Sequence, residues 1–136
     1  MSLVELEIPP RSIYVGVVRL AVSSLGRTAG LSEEAVDDLK IATSEACANA
    51  VLGAEERGSE DRVVVGWSEE EGRVVVTVDD PMGSGPAPSD AVDSQGINTR
   101  RVMSEALLQS LVDQVSVEDR PDGGTQTTLV VNKRSV

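Results

Sequence analysis

Apolar positions along this chain follow two different periods, and the switches between them outline its elements. Residues 3–8 (LVELEI) alternate apolar and polar, which predicts a half-buried strand stopped by Pro9-Pro10. Residues 12–29 place Ile13, Val17, Leu20, Ala21 and Leu25 at helical spacing. They predict a helix that buries this face, capped by Ser12 at its start and Gly30 at its end. Ser32, followed by Glu33 and Glu34, opens a second helix that should fail near Gly58. Two strands follow at residues 62–68 and 73–79, linked through Gly72 as an antiparallel hairpin. The β-branched run VVVTV predicts a central strand covered on at least one face. Residues 81–95 (PMGSGPAPSDAVDSQ) lose all periodicity, as expected of a binding loop or a plain connector. A third helix is predicted over 98–112, offering Val102, Leu107, Leu108 and Leu111 to the core. Strands at 115–118 and 125–132, joined by Pro-Asp-Gly-Gly, close the chain. The order β-α-α-β-β-α-β-β predicts an α/β two-layer sandwich in one domain spanning residues 1–136. Its sheet is expected to be mixed and mostly antiparallel, with three helices on one face.

Residues 37–56 are the stretch around which the others are organised. Val36, Leu39, Thr43, Cys47, Ala50 and Ala54 form a core-facing stripe of small and branched side chains. On the other side Glu45 and Asn49 lie about 40° apart, with Asp38 and Glu56 near the same line. A carboxylate and a carboxamide at i, i+4 can reach one bound ion or nucleotide. The same pattern also describes an ordinary solvated face.

Composition narrows the function classes. Apolar residues make up 40% of the 136, enough for one core, but Tyr14 and Trp67 are the only aromatic residues, so that core must be aliphatic. Twelve basic against 23 acidic residues give a net charge of −11. This argues against direct nucleic-acid binding, which needs a basic footprint. It remains compatible with a phosphate ligand, because backbone amides and a metal ion neutralise phosphates locally. The absence of His removes His-based general bases, His metal ligands and phosphohistidine chemistry. The single Cys47, on the buried stripe, reads as packing. No run approaches the roughly 20 apolar residues of a membrane span, and no signal-peptide pattern opens the chain, so no membrane partner and a cytoplasmic location are expected.

Three segments together carry a family resemblance that extends from Leu3 to Asn132. They are SEACANAV at residues 44–51, the strand end VTVDD, and LVDQVSV followed by PDGGTQTTLVV. The chain resembles the GHKL (Bergerat-type) ATP-binding fold, and within it the small bacterial anti-sigma factor serine kinases. The resemblance implies that Glu45 is the general base and that Asn49 coordinates the Mg2+ bridging the ATP phosphates. It further implies that Asp80, with Asp79 in reserve, hydrogen-bonds the adenine amino group, and that Gly124-Thr125 match the Gly-Thr before the last strand. The glycine boxes depart from the pattern. The first reads Asp80-Pro81-Met82-Gly83, with its glycine displaced to Gly83, and Met82 could crowd the adenine pocket. The second keeps only Gly96 in Gly96-Ile97-Asn98-Thr99. Measured back from Leu111-Val112-Asp113, it falls near residues 102–105 with no glycine. Arg100 and Arg101 are candidates to pair with phosphates instead. By resemblance the protein binds a sigma factor and uses Mg2+ and ATP to phosphorylate a serine on a STAS-type anti-anti-sigma partner, and a homodimer is expected. The displaced glycines leave an alternative: a catalytically weak or inactive module that binds partners alone. The lack of His costs such chemistry nothing, since phosphoryl transfer needs mainly positioning and charge neutralisation.

Overall fold

The computed structural model of the chain describes residues 3–81 and 99–133. Its elements are β1 (Val4–Ile8), a 3-10 turn (Ser12–Tyr14), α1 (Val15–Thr28), α2 (Glu33–Arg57), β2 (Val63–Glu70), β3 (Arg73–Asp80), α3 (Thr99–Leu111), β4 (Gln114–Asp119) and β5 (Thr125–Asn132). The strands form a single sheet in the order β1-β2-β3-β5-β4. All four strand pairs are antiparallel, so the expected sheet carries no parallel pair among the described residues.

Strict alternation along β3 sends Val74, Val76 and Val78 into the helix layer, each 2% exposed or less. Register places Trp67 and Leu129 on either side of Val76 in the same layer. Leu39, Ala42, Ala46, Cys47 and Ala50 of α2 share one core cluster with this surface, and Thr43 and Ala54 are buried on the same helix. The small residues let the helix sit close to the sheet. Caps fix its ends: Ser32 Oγ accepts from the Ala35 amide at 3.1 Å, and Gly58 turns left-handed at φ 66°. Gly30, at φ 89°, ends α1 by the same device, with the Leu31 amide reaching back to the Gly26 carbonyl.

Two expected helix faces are corrected. In α1 the buried line is Val15, Val18 and Val22, joined by the expected Leu25, which packs partly against the core, whereas Val17 and Leu20 are 47% and 74% exposed and Ile13, in the 3-10 turn, is 78% exposed. Val15, Val18, Val22 and Leu25 stand at i, i+3, i+7 and i+10, so the helical period itself carries this face, with Arg19, Ser24, Arg27 and Thr28 on the polar side. Gly26 lies where α2 approaches this face, since a Cβ there would stand 3.1 Å from Val36 Cγ2. Ser12 makes no cap, since the chain first forms the 3-10 turn after Pro9-Pro10 and enters α1 from Tyr14. In α3, Leu108 is buried and Leu111 partly so, but Val102 and Leu107 are 55% and 42% exposed. The inward line runs Ser104–Leu108–Leu111, at i, i+4, i+7. The aperiodic stretch 81–95, expected as a binding loop or a connector, lies outside the described residues from residue 82 onward.

Candidate functional site

The end of β3 resolves the Asp79-Asp80 pair by alternation. Asp80 continues the Val74–Val76–Val78 face and is 4% exposed. Asp79 points to the opposite face of the sheet. There its Oδ1 accepts from Arg120 Nη1 at 2.9 Å and from Gln126 Nε2 at 3.0 Å, so its charge is already occupied.

Asp80 pairs in register with Thr125, which is 2% exposed. The step before it is Gly124, where a Cβ would lie 2.8 Å from the Asp80 carbonyl oxygen and 3.3 Å from Pro81 Cα. Only glycine fits so close to the backbone. The preceding turn is built for this approach, with Gly123 at φ 93° and Asp122 Oδ1 accepting from the Gly124 amide at 3.0 Å. The structure therefore brings together three of the expected residues, Asp80, Gly124 and Thr125, at one end of the β3–β5 pair.

Glu45 and Asn49 sit one turn apart on α2, the helix that packs over β3 and β5. Both are half-buried beside the core stripe. Glu45 borders an open hollow with Ile41, Ser44 and Ala48 of its own helix and with Ser12, Val15 and Arg19 across from it. Asn49 turns toward α3, where its Nδ2 donates to Ser104 Oγ at 2.6 Å. Sequence reasoning missed Ser104. Its signal was its place four residues before Leu108, on the line that α3 buries.

Other expected residues fall elsewhere. Asp38, on the same line of α2 as Glu45, lines a separate cavity of about 470 Å³ with Glu34, Asp113 and Asn132, beside the far end of β5. Gly83 and Gly96 lie outside the described residues, as does the side chain of Arg100, which falls in the first turn of α3. Cys47 is fully buried, and that burial pushes its thiol up to about 12, which suits packing rather than nucleophilic chemistry. Among the described residues no group of three or more Asp, Glu or Cys side chains is arranged to hold a metal, and no helix is long and apolar enough to cross a membrane.

Residues 8–131 match the histidine kinase-like ATPase domain family. The chain belongs to that family. The matched span takes in Glu45, Asn49, Asp80, Ser104, Gly124 and Thr125. Among curated relatives, the serine-protein kinase RsbW of Bacillus pumilus is 31% identical, over 100% of this chain and 90% of its own length. The RsbW of Bacillus subtilis is also 31% identical, covering 98% and 88%. Two solved structures share the fold of this ATPase domain. One holds the RsbU and RsbW domains of a Mycobacterium tuberculosis protein, with a TM-score of 0.68 and 21% identity over 98% of this chain and 34% of that longer one. The other is the SiaB–SiaC complex from Pseudomonas aeruginosa, with a TM-score of 0.60 and 13% identity, covering 96% and 89%.

Proposed function

We propose that this protein is a Mg-ATP-dependent serine protein kinase that works as an anti-sigma factor in partner switching. What supports the reading most is the cradle at the end of β3. There a buried carboxylate, Asp80, lies beside the last-strand entry Gly124-Thr125, where the absence of a side chain on Gly124 lets the two backbones come together. A purine offers an exocyclic amine to such a carboxylate. Two relatives named serine-protein kinase, matched over nearly their whole length, support the same assignment.

Asp80 would accept a hydrogen bond from the adenine amino group. With its nitrogen on Ser104, the Asn49 carboxamide keeps an oxygen for a hard cation, the donor type that Mg2+ takes. Asn49 would hold that Mg2+, which would supply charge neutralisation at the phosphates. The Glu45 carboxylate, facing its open hollow, takes the proton of the partner's serine hydroxyl. The serine oxygen bonds to the γ-phosphorus as the bond to the β,γ-bridging oxygen breaks, leaving phosphoserine and ADP. The substrate is a serine of a STAS-type anti-anti-sigma protein, and the competing partner is a sigma factor. The protein acts in the cytoplasm as a homodimer.

A second reading keeps the partner binding and drops efficient transfer. It is favoured by the buried Ser104, which stands among residues 102–105 where the resemblance expects the second glycine box. Transfer of label from γ-32P-ATP to a STAS-type partner tests the choice. The kinase reading expects labelled serine with the wild type, with the rate reduced about 10²- to 10⁴-fold by Glu45→Gln and abolished by Asn49→Ala. Absence of transfer despite complex formation would leave the binding module.

A further inference from the structure

We propose that Ser104 is a positioning residue for Asn49, holding the carboxamide nitrogen so that its oxygen faces the cation accompanying a nucleotide. The proposal rests on the reading of Asn49 as the cation ligand. The bond is short, 2.6 Å, and its acceptor is buried at 8% exposure, so water does not compete freely for it. It joins α2 to α3 across 55 residues of sequence. Leu108, one turn further along α3, is 2% exposed and belongs to the core cluster that also contains Ala46 and Ala50 of α2. Packing therefore holds Ser104 in place relative to the helix that carries Asn49.

The chemistry explains why such a partner matters. The two ends of a carboxamide are alike in size, but only the oxygen ligates a hard cation. A half-buried Asn with no partner samples both orientations and presents its NH2 group part of the time. With Ser104 accepting from Nδ2 the oxygen is the end left for the metal, and a cation, which only that oxygen can ligate, selects this hydrogen-bonded orientation over the flipped one in which the hydroxyl would donate. This is the role that outer-shell partners play for metal-ligating side chains. Serine suits the position because its hydroxyl can accept while its small side chain fits between two packed helices.

The proposal makes separable predictions for ligand-free and ligand-bound protein. In 15N–1H spectra of the free protein, the Asn49 side-chain amide should exchange slowly in the wild type and at solvent-exposed rates in Ser104→Ala. With a fluorescent ATP analogue as probe, the Mg2+ concentration giving half-maximal binding should rise about 10- to 100-fold in Ser104→Ala. Binding of the analogue without Mg2+ should stay unchanged, and Ser104→Thr, which restores a hydroxyl, should bring the Mg2+ requirement back. In an Asn49→Ala background, Ser104→Ala should add nothing, because its effect passes through Asn49. A urea unfolding curve for Ser104→Ala establishes that the variant is folded. A Mg2+ requirement that Ser104→Ala leaves unchanged, or changes equally in the Asn49→Ala background, overturns the proposal alone. Wild-type nucleotide binding that is independent of Mg2+ overturns the reading of Asn49 as ligand, and this proposal with it.

Discussion

Gly124 approaches the Asp80 backbone so closely that a Cβ on it would stand 2.8 Å from the Asp80 carbonyl oxygen. The neighbour is main chain, so it cannot swing aside as a flexible side chain would. Gly124→Ala must therefore push β5 away from the end of β3, at a cost of about 1–3 kcal/mol of overpacking. Urea unfolding measures that cost, and nucleotide binding should weaken with it because the Asp80 carboxylate moves. Gly72→Ala is the control. Its φ of 76° makes the substitution strained, but it sits at the β2–β3 turn and should lower stability without touching the binding constant.

The two faces of α1 should respond oppositely to substitution. Val18 is fully buried, and Val18→Ala removes two methyl groups from a packed core, costing about 2 kcal/mol. Leu20 is 74% exposed, and Leu20→Ser should stay within about 0.5 kcal/mol of the wild type. Chemical denaturation of the pair distinguishes this arrangement from one that buries the Ile13–Val17–Leu20 face.

Cys47 should resist thiol reagents while the protein is folded. Burial pushes its thiol up to about 12 and covers it completely, so neither thiolate nor access is available at pH 8. Labelling by an aromatic disulfide should proceed only through opening of the core and accelerate with added urea. Fast labelling of the native protein would contradict the placement of Cys47 on the buried stripe.

At the start of α2, Glu33 accepts from Arg27 Nε at 3.0 Å. That hydrogen bond, reinforced by the guanidinium charge, holds the Glu33 carboxyl below its ordinary value. A carboxylate depressed in the folded state favours folding at neutral pH, and its contribution is lost as pH falls through that lowered value. Because the pair is exposed, the effect on stability should be small and screened by salt. Arg27→Ala should move the Glu33 midpoint upward in an NMR titration. An unmoved midpoint would show that the pair does not form in solution.

Features that depend on a few adjacent residues were legible in the sequence. Gly30, Ser32 and Gly58 carry their own capping chemistry, and the final strand matched residue for residue from Thr125 to Asn132. The resemblance prefers Asp80 to Asp79, and the pleat sends the two to opposite faces of the sheet, since even-numbered β3 residues face the helices. Features that need a neighbour were not legible. The close approach of α2 to Gly26 of α1, with Val36 against it, is one such feature. Ser104 gains its meaning from Asn49, 55 residues away, and alone it reads as one more polar helix residue.

The central claim is that Asp80, and not its neighbour, anchors a nucleotide, and calorimetric titration of Mg-ATP into the wild type, Asp80→Asn and Asp79→Asn tests it most directly. The wild type should bind saturably and Asp79→Asn should match it, since that change disturbs the contacts with Arg120 and Gln126 on the opposite face of the sheet. Asp80→Asn should bind at least about tenfold more weakly, the loss of one hydrogen bond to a charged acceptor. A wild type that gives neither heat nor a rise in melting temperature up to millimolar Mg-ATP, or an Asp80→Asn variant that binds as the wild type does, would contradict the account.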